Sequence, residues 1–158
     1  MKPICFNDNW TYISDNGGMG FIMRRGQGEN PIPVTLPHDA SIHEVSTPGD
    51  RAAPGKGGYP NGGYVYCKTF FVPENWAEKR VTLEFEGVYM NAMVYLNGDF
   101  AGQCPNGYAG VAIPCNRLLN YGVNNEVRVM YSGDQDSRWY AGTGICQPVC
   151  GRPCAYRI

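Results

Sequence analysis

The 158-residue sequence predicts an all-β domain, a sandwich of two packed sheets, on three observations. Gly and Pro make up about a fifth of the chain, a density of breakers that suits short strands joined by turns and opposes a helical bundle. Apolar and β-branched segments of strand length recur from residue 64 onward, and one alternates cleanly with a period of two. An Asn97-Gly98 pair separates two such segments and carries the preference of a tight hairpin turn.

The elements follow in order. Residues 1–20 are polar and glycine-rich, with Trp10 and Tyr12 as expected core anchors. Residues 44–63 form a long loop rich in Gly and Pro, of a length that is usually functional or disordered. Segment 64–72 is β-branched and aromatic and predicts a strand. Segment 80–86 sets Val81, Leu83 and Phe85 on one face and Arg80, Thr82, Glu84 and Glu86 on the other, the pattern of a half-buried antiparallel strand. In segment 89–96, Ala92, Val94 and Leu96 share a face; Asn97-Gly98 predicts a type I′ turn, and 99–103 the returning strand. Residues 116–121 predict one helical turn capped by Asn116. Val127, Val129 and Tyr131 mark another strand, and Ile145 to Val149 a last one.

Composition narrows the function. The formal net charge is −1, so no basic field is available to hold a nucleic-acid backbone. No run approaches 18 apolar residues, so no membrane span is expected. The first residues lack the apolar stretch of a signal peptide. Seven cysteines, an odd number, suit a disulfide framework poorly, and reduced thiols in a cytoplasmic protein are the expectation. The length fits one domain over 1–158 and is too short for a (β/α)₈ barrel, which needs about 250 residues.

Five words stand in a specific order: Phe6-Asn7-Asp8-Asn9-Trp10; Leu36-Pro37-His38-Asp39; Phe70-Phe71-Val72-Pro73-Glu74-Asn75-Trp76; Phe85-Glu86-Gly87-Val88-Tyr89-Met90-Asn91-Ala92 with Val94-Tyr95-Leu96-Asn97-Gly98; and Ser137-Arg138-Trp139-Tyr140 with Gly142 and Gly144-Ile145. Together they resemble the N-terminal domain of family 2 glycoside hydrolases, the β-galactosidase and β-glucuronidase group. The resemblance implies a jelly-roll sandwich of the galactose-binding type, in agreement with the strand reading. It also implies that the catalytic glutamates belong to a separate barrel. No acidic residue here stands in a context resembling either catalytic motif, so this chain is expected to hold no catalytic residue and no cofactor. The sequence departs from the family pattern at Ala40, where the family has Trp, and at Cys146-Gln147, where it has Tyr-Arg.

By the same resemblance, Asn61 in the glycine-rich loop and Asp136 before the Trp motif correspond to residues that touch sugar hydroxyls. The chemistry suits them: an amide donates and accepts, and a carboxylate accepts strongly. An Asx turn at Asn61 and a solvated carboxylate at Asp136 are the structural alternatives. Arg138 and Trp139 read either as a stacked pair or sugar platform, or as residues that close the sandwich. His38-Asp39 is expected to be a fold feature, because adjacent side chains on extended backbone point to opposite faces. A zinc site drawn from His38, His43, Cys146, Cys150 and Cys154 is not expected, since an extended segment spreads the three cysteines too far for one ion and Gly151 and Pro153 oppose a helix.

The expected function is that of a non-catalytic domain of a β-galactosidase-like glycosidase that contributes to substrate binding and docks on the barrel. Its expected partners are a carbohydrate and the remaining domains. The alternatives are a stand-alone carbohydrate-binding module and a structural domain that mediates assembly, including a homo-oligomer.

Overall fold

Ten strands organise the computed structural model, which describes residues 3–15, 31–40, 63–88, 91–105, 109–132 and 154–157. They are β1 (Pro3–Cys5), β2 (Trp10–Asp15), β3 (Ile32–Val34), β4 (Gly63–Val72), β5 (Thr82–Phe85), β6 (Ala92–Leu96), β7 (Asp99–Cys104), β8 (Val111–Pro114), β9 (Val123–Ser132) and β10 (Cys154–Arg157). Every pairing between them is antiparallel, in a four-stranded sheet of order β1-β10-β5-β8 and a six-stranded sheet of order β3-β2-β4-β9-β6-β7. The predicted all-β fold is the observed one.

The core lies where the two sheets turn apolar residues toward each other. The six-stranded sheet supplies Trp10, Tyr12, Tyr64, Tyr66, Val94, Leu96, Val127, Val129 and Tyr131, and the four-stranded sheet supplies Leu83, Phe85 and Ile113. Alternation along each strand produces this segregation, because successive side chains leave the backbone on opposite faces. The expected anchors Trp10 and Tyr12 are both buried, and Trp10 also donates its indole N–H to the Phe6 carbonyl at 2.7 Å.

Within segment 80–86 the strand is the shorter β5, Thr82–Phe85, and Val81, Leu83 and Phe85 are buried as expected. Thr82, expected on the open face, is only 7% exposed. It sits on an inner strand, paired on one side with β10 and on the other with β8. The β6–β7 hairpin turns at Asn97 and Gly98, whose φ values of 54° and 95° meet the two positive angles a type I′ turn requires. At Gly102 on β7, an added Cβ would stand 3.0 Å from Ile113 Cδ1, so the missing side chain lets β7 close on β8.

Asn116 does not act as the expected helix cap. The turn begins one residue earlier, with the Cys115 carbonyl accepting from Leu118 N at 2.9 Å and Leu119 N at 3.2 Å. The Asn116 amide instead crosses to the chain before β5, accepting from Val81 N at 2.9 Å and donating to the Lys79 carbonyl at 2.6 Å. Those backbone groups lie next to a strand end and have no ladder partner there, which makes them the better use of the amide. The strand expected at Ile145 to Val149 lies outside the described residues. The last described strand is β10, which joins β1 to β5 and was not expected from the sequence.

Candidate functional site

Asn61, Asp136, Arg138 and Trp139 all lie outside the described residues, as does most of the loop 44–63. The strands that lead to them are described. β4 begins at Gly63, two residues after Asn61, and β9 ends at Ser132, four residues before Asp136. Gly63 and Ser132 are paired, and Gly63 pairs on its other side with Asp15, the last residue of β2. One end of the six-stranded sheet therefore carries the stems of both sugar-binding candidates. At 3.8 Å per residue, Asn61 is tethered within about 8 Å of Gly63, and Asp136 within about 15 Å of Ser132.

Along the inner face of the same strands runs a stack of tyrosines. The Tyr64 and Tyr131 rings lie 5.3 Å apart at 32°, Tyr66 and Tyr131 6.1 Å apart at 23°, and Tyr12 and Tyr66 5.7 Å apart at 26°. The register explains the stack. Tyr64 is the partner of Tyr131 and Tyr66 that of Tyr12, and all four project inward. Such offset ring pairs add to the stability that burial alone provides.

His38 closes the stack. Its ring lies 4.8 Å from that of Tyr12, and its Nδ1 is 2.7 Å from the Tyr66 hydroxyl, in a hydrogen bond whose donor is set by the imidazole tautomer. Asp39, next in sequence, is buried. His38 thus serves the tyrosine stack, which fits the fold-feature reading of Leu36-Pro37-His38-Asp39. Ala40 is fully buried in the core, at the position where the family pattern has Trp.

The Tyr131 hydroxyl is buried and makes no hydrogen bond of ordinary geometry to the described residues. Burial pushes its pKa far up, and Tyr66, Tyr64 and Asp39 act in the same direction. Beside it, Trp10, Leu36, Tyr66, Phe85, Val88 and Val129 line a cavity of about 10 Å³. This space is apolar and admits no more than one water, so it does not receive a saccharide. Sequence reasoning placed Tyr64, Tyr66 and Tyr131 on strands but did not single them out as a stack. Their signal was present in the alternation of Tyr64 with Tyr66 and of Val127 and Val129 with Tyr131, but it reads equally well as ordinary core.

Elsewhere, Cys67 and Cys115 are held as neutral thiols. Burial raises both from the ordinary 9.0 to about 11, and at Cys67 Arg128 opposes the shift while Glu126 adds to it. Arg128 Nε binds Glu126 Oε1 at 2.6 Å on the outer face of the sheet. Among the described residues no three His, Cys, Asp or Glu side chains gather as metal ligands. Cys146 and Cys150 lie outside those residues.

Known proteins place this architecture. The chain is 34% identical over 147 residues to the beta-galactosidase BoGH2A of Bacteroides ovatus, covering 91% of this chain and 17% of that protein. It is 29% identical over 128 residues to a beta-glucuronidase of Bacteroides fragilis, covering 81% of this chain and 16% of the relative. The crystal structure of a beta-glycosidase from Bacteroides vulgatus superposes on 99% of the chain with a TM-score of 0.82 at 27% identity, and the match takes up 20% of that structure. The chain thus spans about a sixth of the length of these curated relatives. Residues 59–139, half of the chain and the part that includes β4 to β9, match the model of the glycosyl hydrolase 2 galactose-binding domain-like family, and the chain belongs to that family.

Proposed function

We propose that this chain serves as the non-catalytic sugar-facing domain of a glycosidase of the β-galactosidase or β-glucuronidase type. In that enzyme it shapes one rim of the active site and docks on the catalytic barrel. The observation that carries the reading is the Gly63–Ser132 pairing, which roots the segments bearing Asn61 and Asp136 on adjacent strands at one sheet end. Asn61 and Asp136 then hydrogen-bond sugar hydroxyls, and Arg138 and Trp139 stand in the same segment as Asp136 to offer a flat face to the ring. Retaining hydrolysis needs two carboxyl groups about 5–5.5 Å apart. The complete enzyme supplies that pair from its barrel, so this chain alone does not hydrolyse a glycoside.

A reducing, cytoplasmic setting belongs to the same proposal and rests on the odd count of seven cysteines, which suits a disulfide framework poorly. Two measurements test the reading. Incubation of the chain with chromogenic β-galactoside and β-glucuronide should give no turnover above buffer. Titration with galactose, glucuronate and mannose, followed by amide NMR, should give saturable shifts centred on Asn61 and Asp136. Turnover, or shifts that leave both residues unmoved, would overturn it.

A further inference from the structure

The β6–β7 hairpin turns on an asparagine followed by glycine. In that pair the backbone nitrogen of the glycine is unhindered by a Cβ and attacks the side-chain amide readily. At this position the Gly98 nitrogen would attack Asn97 Cγ, the Cγ–Nδ2 bond would break and ammonia would leave. Water would then open the succinimide to aspartate or isoaspartate. Water is the only co-reactant.

Here the attacked amide is held on every side. Asn97 Nδ2 donates to the Leu118 carbonyl at 2.8 Å and to Asn125 Oδ1 at 2.7 Å, and its Oδ1 accepts from Glu126 N at 3.0 Å. The Asn97 backbone N–H adds a bond to the Glu126 carbonyl at 2.8 Å. Asn125 is fully buried, and its own amide is fixed by Asn120 N, the Asn120 carbonyl and the Val123 carbonyl. Both donor hydrogens of the Asn97 amide are therefore engaged. Swinging Cγ toward the Gly98 nitrogen breaks three hydrogen bonds at once and leaves the Asn125 amide short of a partner.

We propose that Asn97 is a deamidation site gated by the fold: inert while this amide clamp is closed, and reactive once the hairpin opens. The product does not close the clamp again. An aspartate at 97 replaces the Nδ2 donor with an oxygen that faces the Leu118 carbonyl and Asn125 Oδ1, and isoaspartate also lengthens the backbone inside a two-residue turn. Each opening long enough for reaction thus removes a molecule from the folded pool.

The sequence contains its own references, because Asn-Gly also occurs at 16–17, 61–62 and 106–107. The unmodified chain is incubated in mildly alkaline buffer, folded and in concentrated urea, and the one-dalton gain at each asparagine is located by fragment mass spectrometry. In urea, Asn97 should react at a rate similar to the other three pairs. In the folded chain it should react at least about tenfold more slowly than in urea. Equal rates at Asn97 in the two conditions overturn the proposal, as does a slow Asn97 in urea, which would place the protection in local sequence. A second variant tests the clamp itself. Asn125→Ala, if circular dichroism shows it folded, should raise the folded-state rate at Asn97 several-fold, and an unchanged rate overturns the assignment to the clamp. If that variant does not fold, the ratio measured on the unmodified chain decides.

Discussion

Gly63, the first residue of β4, is the antiparallel partner of Ser132, the last residue of β9. Sixty-nine residues of sequence separation collapse to one strand spacing, about 5 Å. The proposed sugar contacts hang from these two points. Asn61→Ala and Asp136→Ala should each weaken saccharide binding about fivefold, equivalent to ~1 kcal/mol, from a starting affinity of about millimolar strength. Amide NMR titration of the two variants checks this, and full-strength binding in both removes them from the site.

The alkaline limb of stability follows from one half-buried thiol, Cys67, and one buried thiol, Cys115. Cys67 and Cys115 have folded pKa values near 11 against an ordinary 9.0, so the folded chain keeps protons that the unfolded chain releases. Their contribution is fully present below pH 9 and is lost as pH rises from 9 to about 11. Tyr131, raised from 10.0, adds a loss of the same sign above pH 10. Urea denaturation across this range should show stability falling with pH, and a Cys67→Ser/Cys115→Ser variant should show a shallower fall between pH 9 and 11.

Tyr131→Phe removes a buried hydroxyl that has no well-formed hydrogen bond to the described residues and keeps the ring that stacks on Tyr64 and Tyr66. Stability should hold or rise by up to ~1 kcal/mol. Tyr131→Ala removes the ring as well and should cost about 3–5 kcal/mol. Chemical denaturation separates the two outcomes, and a large loss in the phenylalanine variant would show that the hydroxyl holds the core.

Gly102 and Ile113 join the edge of one sheet to the edge of the other. A Cβ at 102 would press on Ile113 Cδ1 at 3.0 Å and Cγ1 at 3.1 Å. Gly102→Ala should therefore destabilise by about 1–2 kcal/mol. Ile113→Val deletes Cδ1 and should recover part of that loss when the two are combined. A double-mutant cycle in thermal or urea unfolding reads this coupling, and strict additivity would show that the two side chains do not meet.

The local elements were legible in the sequence because they depend on neighbours along the chain. Val81, Leu83 and Phe85 alternate within one segment, Ala92, Val94 and Leu96 within the next, and Asn97-Gly98 needs only its own two φ angles. The ordered family words carried the rest of the fold class. Asn116 marks the boundary of such reasoning. A local view makes it a cap, whereas in the folded chain its amide serves the backbone at Lys79 and Val81, more than thirty residues away. Thr82 and β10 mark it too, since burial of the one and existence of the other depend on which strands arrive alongside. The four proposed sugar contacts were named by resemblance, and tertiary structure adds that β4 and β9 bring their stems to one sheet end. Residue type and period set which face of a strand is apolar. The choice of partner falls to the fold, because a strand's N–H and C=O groups can be satisfied by any other strand, and only simultaneous burial of all the apolar faces selects one pairing.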